Sequence, residues 1–207
     1  MSIKESSDEL NPPVAIVEGL PKPRTKRSAK DYIALAIATC GVGYLPLAPG
    51  TWGSLLGVAI YLIIHSYSLQ FVNRFFASDS FARFQPLPII IAVELVVIGT
   101  IILLGTWAAT RTEHLSGRKD PGKVVVDEVA GQLIALLPIV PGTDPGWMSI
   151  IIAFALFRFF DIVKPYPARR LEGLESGLGI VADDIVAGAY AAVGTAIIIA
   201  TAFILLL

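Results

Sequence analysis

Five acidic side chains lie at the ends of strongly apolar segments, where a membrane protein is expected to avoid charge. They are Asp127 and Glu128 in KDPGKVVVDEVAG, Asp161 in FRFFDIVKPYP, and Asp183 and Asp184 in GLGIVADDIVAG. A carboxylate at bilayer depth is costly, so such residues are usually functional. Carboxylates that come together need a counter-charge, and a hard divalent cation such as Mg²⁺ prefers oxygen ligands. The pattern therefore predicts a metal site built from helix ends.

The composition is that of a membrane protein. Of the 207 residues, 55% are hydrophobic, and the mean hydropathy is +0.71, which is too apolar for an ordinary soluble domain of this length. The formal net charge of −1 argues against nucleic acid as a partner, and no protein partner is indicated. Cys40 is the single cysteine, so a disulfide framework is excluded.

The chain divides into a tail and an apolar domain. Residues 1–30 carry four prolines and six basic residues but few large apolar ones, which predicts a disordered basic cytoplasmic tail. Residues 31–207 contain apolar runs at 32–41, 53–71, 88–110, 124–140, 148–163 and 185–207. A membrane span needs roughly 20 apolar residues. We therefore expect an all-α polytopic bundle with four to five membrane helices, some short or re-entrant, and leave open whether 32–41 crosses.

Basic residues are distributed unevenly between the loops. The tail has six Lys or Arg residues, the 111–123 loop four and the 164–181 loop three, whereas 66–87 has two and 141–147 none. The positive-inside rule places the tail and the two basic loops in the cytoplasm and the C-terminus outside. All five acids then fall at the cytoplasmic face, which predicts a single site there.

The segment LPLAPGTWGS provides a candidate phosphate-binding turn. Pro46 and Pro49 cannot continue a helix, Gly50 permits a tight turn, and Thr51 can cap the helix that follows. The free N–H groups at a helix N-terminus suit a phosphate. A plain entry from loop to helix explains the same residues.

Asp127 and Glu128 are adjacent, so on a helix their side chains point about 100° apart. They would not share one metal unaided, but they could bind two metals, or one metal and a water. A salt-bridged helix start is the structural alternative, because acids favour the first turn of a helix.

Arg158, Asp161 and Lys164 recur every three residues and are expected to share one helix face. They form either a ladder of alternating charge or a metal ligand between two phosphate-binding cations. Asp183 follows two glycines and can be read as a simple helix cap, although a double acid at the entrance to an apolar span is harder to explain in that way.

Other chemistries lack the residues that they need. The sequence has no DxDxT nucleophile, no arginine loop after its cysteine and only two histidines. The carboxylates, cations and backbone N–H groups that remain suit metal-assisted phosphoryl chemistry. A CDP-alcohol phosphotransferase is disfavoured because its DGxxAR…GxxxDxxxD pattern is missing. The other alternative is a small membrane transporter or channel with an acidic ion site at the cytoplasmic face, but Glu94 is the only acid expected to be buried in the membrane away from that face.

Four segments, in this order, resemble the phosphatidylglycerophosphatase A family: LPLAPGTWGS, DPGKVVVDEVAG, FRFFDIVKPYPARRLE and GLGIVADDIVAG. The resemblance covers about residues 31–207. It implies a Mg²⁺-dependent enzyme of the bacterial inner membrane, with several spans and an active site facing the cytoplasm. It further implies hydrolysis of the phosphomonoester of phosphatidylglycerophosphate to phosphatidylglycerol and phosphate, in glycerophospholipid biosynthesis. The expected partner is therefore a phospholipid in the membrane.

The resemblance also implies roles for the matching residues. The expected Mg²⁺ ligands, for one or two ions, are Asp127, Glu128, Asp161, Asp183 and Asp184. The expected catalytic residues are Asp127, Glu128, Asp161 and Asp184, with Glu128 as the general base. The expected phosphate-binding residues are Thr51, Arg158 and Lys164.

Overall fold

The computed structural model describes residues 27–76, 87–139, 146–171, 173–174 and 176–206. Its regular elements are α1 (Ala29–Thr39), α2 (Pro49–Phe76), α3 (Leu87–Ser116), α4 (Val126–Leu136), α5 (Trp147–Val163), α6 (Ala168–Leu171) and α7 (Gly177–Leu206), with a 3₁₀ turn at Val42–Tyr44. No strand occurs within these ranges, so the predicted all-α class is confirmed. Residues 1–26 of the predicted tail lie outside the described residues, and the last two tail positions already belong to α1.

Two helices of the described ranges are long and apolar enough to cross a membrane. They are Pro88–Ser116 within α3 and Gly177–Leu205 within α7. Only 22% and 17% of their apolar windows are buried, which is unlike the core helices of a soluble protein. Large side chains such as Leu103 and Phe203 are exposed instead, as contact with lipid would allow. The chain is thus consistent with a membrane protein, and the expected count of four to five membrane helices stays a prediction.

Helix α4 lies at the centre of the bundle. Although it has only 11 residues, it contacts α2, α3, α5 and α7, and Val129, Leu133 and Leu136 are buried among them. With about 1.5 Å of rise per residue, α4 is too short to span a bilayer. It is an inner helix whose position depends on its neighbours.

Glycines allow α4 to approach two of those neighbours closely. A Cβ on Gly188 of α7 would lie only 2.5 Å from the carbonyl oxygen of Gly131, so the two backbones are in contact. On the other side, Gly57 of α2 packs against Gln132, and Gly53 packs against Val125. The Gly53–Gly57 pair therefore serves helix packing.

Helix α1 fixes the entrance to α4. The Arg111 guanidinium of α3 binds the Asp31 carboxylate at 2.6 Å, and the Val125 N–H donates to the Ala38 carbonyl at 2.8 Å. The backbone N–H of Ser28, followed by the Ser28 hydroxyl and Arg111, holds the pKa of Asp31 below its ordinary value. These contacts tie the chain that precedes Asp127 to the rest of the fold.

Three expected helix boundaries are wrong. Helix α2 begins at Pro49, because proline is preorganised for the first helical position, so Thr51 lies in the first turn and is not the cap. Helix α7 begins at Gly177, whose N–H is capped by the Thr110 hydroxyl at 3.0 Å, so Asp183 lies inside the helix. Helix α5 ends at Val163, and Lys164 is left-handed, because the residue before a proline is disfavoured in a helix. Lys164 therefore does not extend the face of Arg158 and Asp161.

Candidate active site

Three carboxylates converge where the start of α4 meets α7. One oxygen from each of Asp127, Glu128 and Asp184 lies within 4.8 Å of the other two. We call these residues the acid trio. Asp127 and Glu128 stand in the first turn of α4, as expected, and Asp184 reaches them because Gly131 and Gly188 let α7 come close.

The donor set of the acid trio fits a small divalent cation. Oxygens bound to one Mg²⁺ lie at most about 4.2 Å apart, and the trio's oxygens all lie within 4.8 Å of one another, so small shifts would bring them around one ion. Within the described part of the chain, Asp127 Oδ1 and Glu128 Oε2 are buried and accept no hydrogen bond. Buried carboxylate oxygens without donors are costly, so a cation is the natural counter-charge. The cluster could therefore bind a metal.

The electrostatics of α4 agree with this geometry. Burial raises the pKa of Asp127 above its ordinary value, and the neighbouring carboxylates of Glu128 and Asp184 raise it further. Burial also raises the pKa of Glu128, and the nearby Arg158 partly offsets the effect. The ionised trio is therefore unfavourable without positive charge beside it.

Arg158 and Asp161 supply charge at the edge of the trio. Arg158 Nη1 lies 2.8 Å from Asp161 Oδ2, one turn further along α5, and it donates to the Ser54 hydroxyl of α2 at 3.4 Å. The charge of Asp161 also acts on Asp184. Asp161 thus joins the cation to the acid trio, although it is not one of the three converging carboxylates.

Lys164 and Asp183 form a second charged pair beside the trio. The Lys164 ammonium lies 2.6 Å from Asp183 Oδ2, and the Asp183 side chain is buried. Adjacent helical residues point in different directions, so Asp183 faces Lys164 while Asp184 faces Asp127. The role of Asp183 as a metal ligand stays a prediction, as does phosphate binding by Lys164.

The start of α2 closes the site from the other side. A side chain at Gly50 would overlap the Glu128 carboxylate, and its Cβ would lie 3.2 Å from Arg158 Nη1. Thr51 is partly exposed in the same turn. Within the described ranges its side chain makes no hydrogen bond to the acids, so its phosphate-binding role stays a prediction.

Sequence reasoning missed two polar residues of this region. Ser54 holds Arg158, and Gln132 lies fully buried one turn after Glu128 with neither amide atom hydrogen-bonded in the described part of the chain. Gln132 could have been found as the polar residue four positions after Glu128 in an apolar run. Ser54 carried no comparable signal, because only the packing of α2 against α5 brings it to Arg158.

The fold and site define a class: a helical protein, consistent with a membrane protein, with a carboxylate cluster suited to a divalent cation and with cations at its edge suited to an anion. The family model described as Phosphatidylglycerophosphatase A matches residues 35–199. The chain therefore belongs to the phosphatidylglycerophosphatase A family, and it is a phosphatase.

Three curated relatives are similar to most of the chain and differ in their named substrates. A Bacteroides thetaiotaomicron protein, provisionally named a phosphatidylinositol-3-phosphatase, is 38% identical over 161 residues, which cover 77% of this chain and 89% of the relative. The Haemophilus influenzae phosphatidylglycerophosphatase A is 36% identical over 174 residues, covering 83% and 91%. The Escherichia coli K12 phosphatidylglycerophosphatase A is 31% identical over 177 residues, covering 82% and 88%. No solved structure matches the chain.

Proposed function

We propose that this phosphatase removes the phosphomonoester of phosphatidylglycerophosphate, giving phosphatidylglycerol and phosphate in glycerophospholipid biosynthesis. The observation that carries the proposal is that Arg158 lies beside the acid trio at one end of the helical bundle. The long helices of this bundle expose apolar surfaces that could contact lipid. Family membership and two relatives named phosphatidylglycerophosphatase A support the same substrate.

Mg²⁺ is the proposed cofactor. Asp127, Glu128 and Asp184 would hold it, because their oxygens are the closest set and the ligand type is that of a hard cation. When bound, Mg²⁺ would polarise the phosphoryl group and increase the acidity of a water. Asp161 is proposed to support Asp184 and to orient Arg158, while Asp183 is proposed to complete the ligand set only if a second ion binds.

The chain's own residues would bind the phosphate and move the proton. Arg158 has five N–H donors, and those beyond the contacts with Asp161 and Ser54 would bind a non-bridging oxygen. Lys164 would add positive charge at the edge, with Thr51 and the α2 N-terminus as further donors. Glu128 would accept the proton of the attacking water through the carboxylate oxygen that does not bind the metal.

The proposed location is the bacterial inner membrane, with several spans and the site facing the cytoplasm. Basic residues crowd the loops at the same end as the acids, which supports this orientation. The acyl chains of the substrate would stay beside the exposed faces of α3 and α7, and the headgroup would enter from the cytoplasmic side. The reaction needs no protein or nucleic-acid partner.

A substrate panel tests the proposal. Detergent-purified protein would receive phosphatidylglycerophosphate, phosphatidylinositol 3-phosphate and phosphatidic acid in parallel, with phosphate release as the readout. We expect the highest kcat/KM with phosphatidylglycerophosphate. A higher value with phosphatidylinositol 3-phosphate would move the substrate assignment to that of the Bacteroides relative, and no release from any lipid by folded protein would contradict the proposal.

A further inference from the structure

A basic groove lies outside the acid trio, between the end of α3 and the entrance to α4. It is an open groove of about 770 Å³, and the charged residues that line it are four cations, Arg27, Arg118, Lys119 and Lys123, and one acid, Asp120. Its volume is in the range of pockets that hold small ligands. The excess of positive charge indicates an anionic ligand.

The groove adjoins the site. Lys123 precedes Asp127 by four residues, which span at most about 14 Å even when fully extended. The groove's inner end is fixed, because the Lys123 backbone carbonyl packs against Gly43 and the Lys123 ammonium lies 5.9 Å from the centre of the Tyr44 ring. Asp120, at the other side of the groove, is near enough for its charge to act on Asp127.

The groove also lies at headgroup depth. Leu115 and Ser116, at the end of the spanning segment of α3, form one wall, and basic pockets at the cytoplasmic ends of membrane helices suit anionic lipid headgroups. Arg118 and Lys119 are exposed and can turn toward a ligand. An ordinary solvated patch would not need to be concave or to adjoin the acids.

We propose that the basic groove binds the phosphodiester of the lipid substrate while the acid trio acts on its phosphomonoester. This inference rests on the proposed function. The substrates in the names of the relatives, phosphatidylglycerophosphate and phosphatidylinositol 3-phosphate, both carry a phosphodiester and a phosphomonoester in one headgroup, whereas phosphatidic acid carries the monoester alone. The groove would therefore select lipids with a second phosphate.

The double variant Arg118→Ala/Lys119→Ala tests the groove. We expect its kcat/KM for phosphatidylglycerophosphate to fall by about 10-fold or more, since hydrogen bonds to charged groups are stronger than those between neutral groups. Its kcat/KM for phosphatidic acid should change by less than about 2-fold. The matched control is Arg169→Ala/Arg170→Ala, which removes the same charge from exposed residues of α6 and should leave both values unchanged.

Other outcomes would overturn the proposal. Equal losses of kcat/KM with both lipids, or equal losses in the control variant, would show that basic residues attract anionic lipids in general. No loss with either lipid would show that the groove does not bind the substrate. Native mass spectrometry measures which lipids stay bound to the protein and does not depend on catalysis. Wild type should retain phosphatidylglycerol, which has the phosphodiester, over diacylglycerol, which has no phosphate, and Arg118→Ala/Lys119→Ala should lose that preference. Retained preference in the variant would contradict the groove even if the enzyme proved inactive on every lipid.

Discussion

Asp127 is buried at the start of α4, and one of its oxygens accepts no hydrogen bond in the described ranges. Such a carboxylate is costly unless a cation binds it. We expect Asp127→Asn to lower kcat by at least about 100-fold, because even changes outside a metal's ligand set typically cost roughly 10–100-fold. Phosphate release from phosphatidylglycerophosphate, with chromatography to show that the variant is folded, would measure this.

Glu94→Gln is the matched control for Asp127→Asn. Glu94 is also a buried carboxylate without a hydrogen-bond partner in the described part of the chain, but it lies in a small cavity lined by Tyr61 and Ile98. We expect near-normal activity from this variant. Near-normal activity of Asp127→Asn, or a collapse of both variants, would contradict the assignment of chemistry to the acid trio.

The residue types of the site were predictable from sequence, whereas their pairing was not. Acids next to apolar runs identified Asp127, Glu128 and Asp184, because such residues are rare without a function. The partnership of Lys164 with Asp183 depends on where α5 ends, and the contact of Ser54 with Arg158 depends on how α2 packs. Sequence spacing carries no information about either.

Among the elements, the crossing of α4 and α7 decides whether the acid trio can form. A Cβ on Gly188 would lie 2.5 Å from the Gly131 carbonyl oxygen, so a methyl group there must push the helices apart. We expect Gly188→Ala to destabilise the protein by about 1–3 kcal/mol, and to lower activity because Asp184 moves from Asp127. Thermal unfolding in detergent and phosphate release would report both effects.

Gly99→Ala provides the comparison for Gly188→Ala. Gly99 lies inside α3, where a Cβ would meet nothing within 4 Å. The same substitution should be neutral there or stabilise by up to about 1 kcal/mol through helix propensity. Equal stability and equal activity of the two variants would show that the α4–α7 contact is not as close as described.

The apolar runs predicted where helices occur. They did not predict where each helix ends, or that α4 is buried inside the bundle. The run at 124–140 suggested a short span, whereas α4 occupies only Val126–Leu136 and lies inside the bundle. A helix buried by neighbouring helices and a helix in contact with lipid both have apolar sequences, so the sequence alone does not distinguish them. The early start of α7 depends on the Thr110 hydroxyl of α3, a tertiary contact.

For the whole molecule, orientation can be measured by cysteine labelling. The natural thiol interferes little, because burial raises the pKa of Cys40 to about 11 and so disfavours the reactive thiolate. In a Cys40→Ser background, we expect His114→Cys to react with a membrane-impermeant maleimide only from the cytoplasmic side. Trp147→Cys, at the exposed start of α5, should react only from the other side.

Labelling of both positions from the same side would contradict the predicted topology. The convergence of all five acids at one end was inferred from the positive-inside rule, and the structure brings three of them together and places the others in adjoining charged pairs. The number of spans stays a prediction, because two helices of the described ranges are long and apolar enough to cross a membrane and the shorter apolar runs are not decided by length and composition.

The acid trio is proposed to serve Mg²⁺-dependent hydrolysis of a lipid phosphomonoester. Phosphate release from phosphatidylglycerophosphate by the purified wild-type protein, followed in Mg²⁺, then in excess EDTA, then with Mg²⁺ restored, tests it most directly. We predict release that stops in EDTA and returns with Mg²⁺. Release that EDTA does not affect, or no release by folded protein in any of the three conditions, would contradict the account.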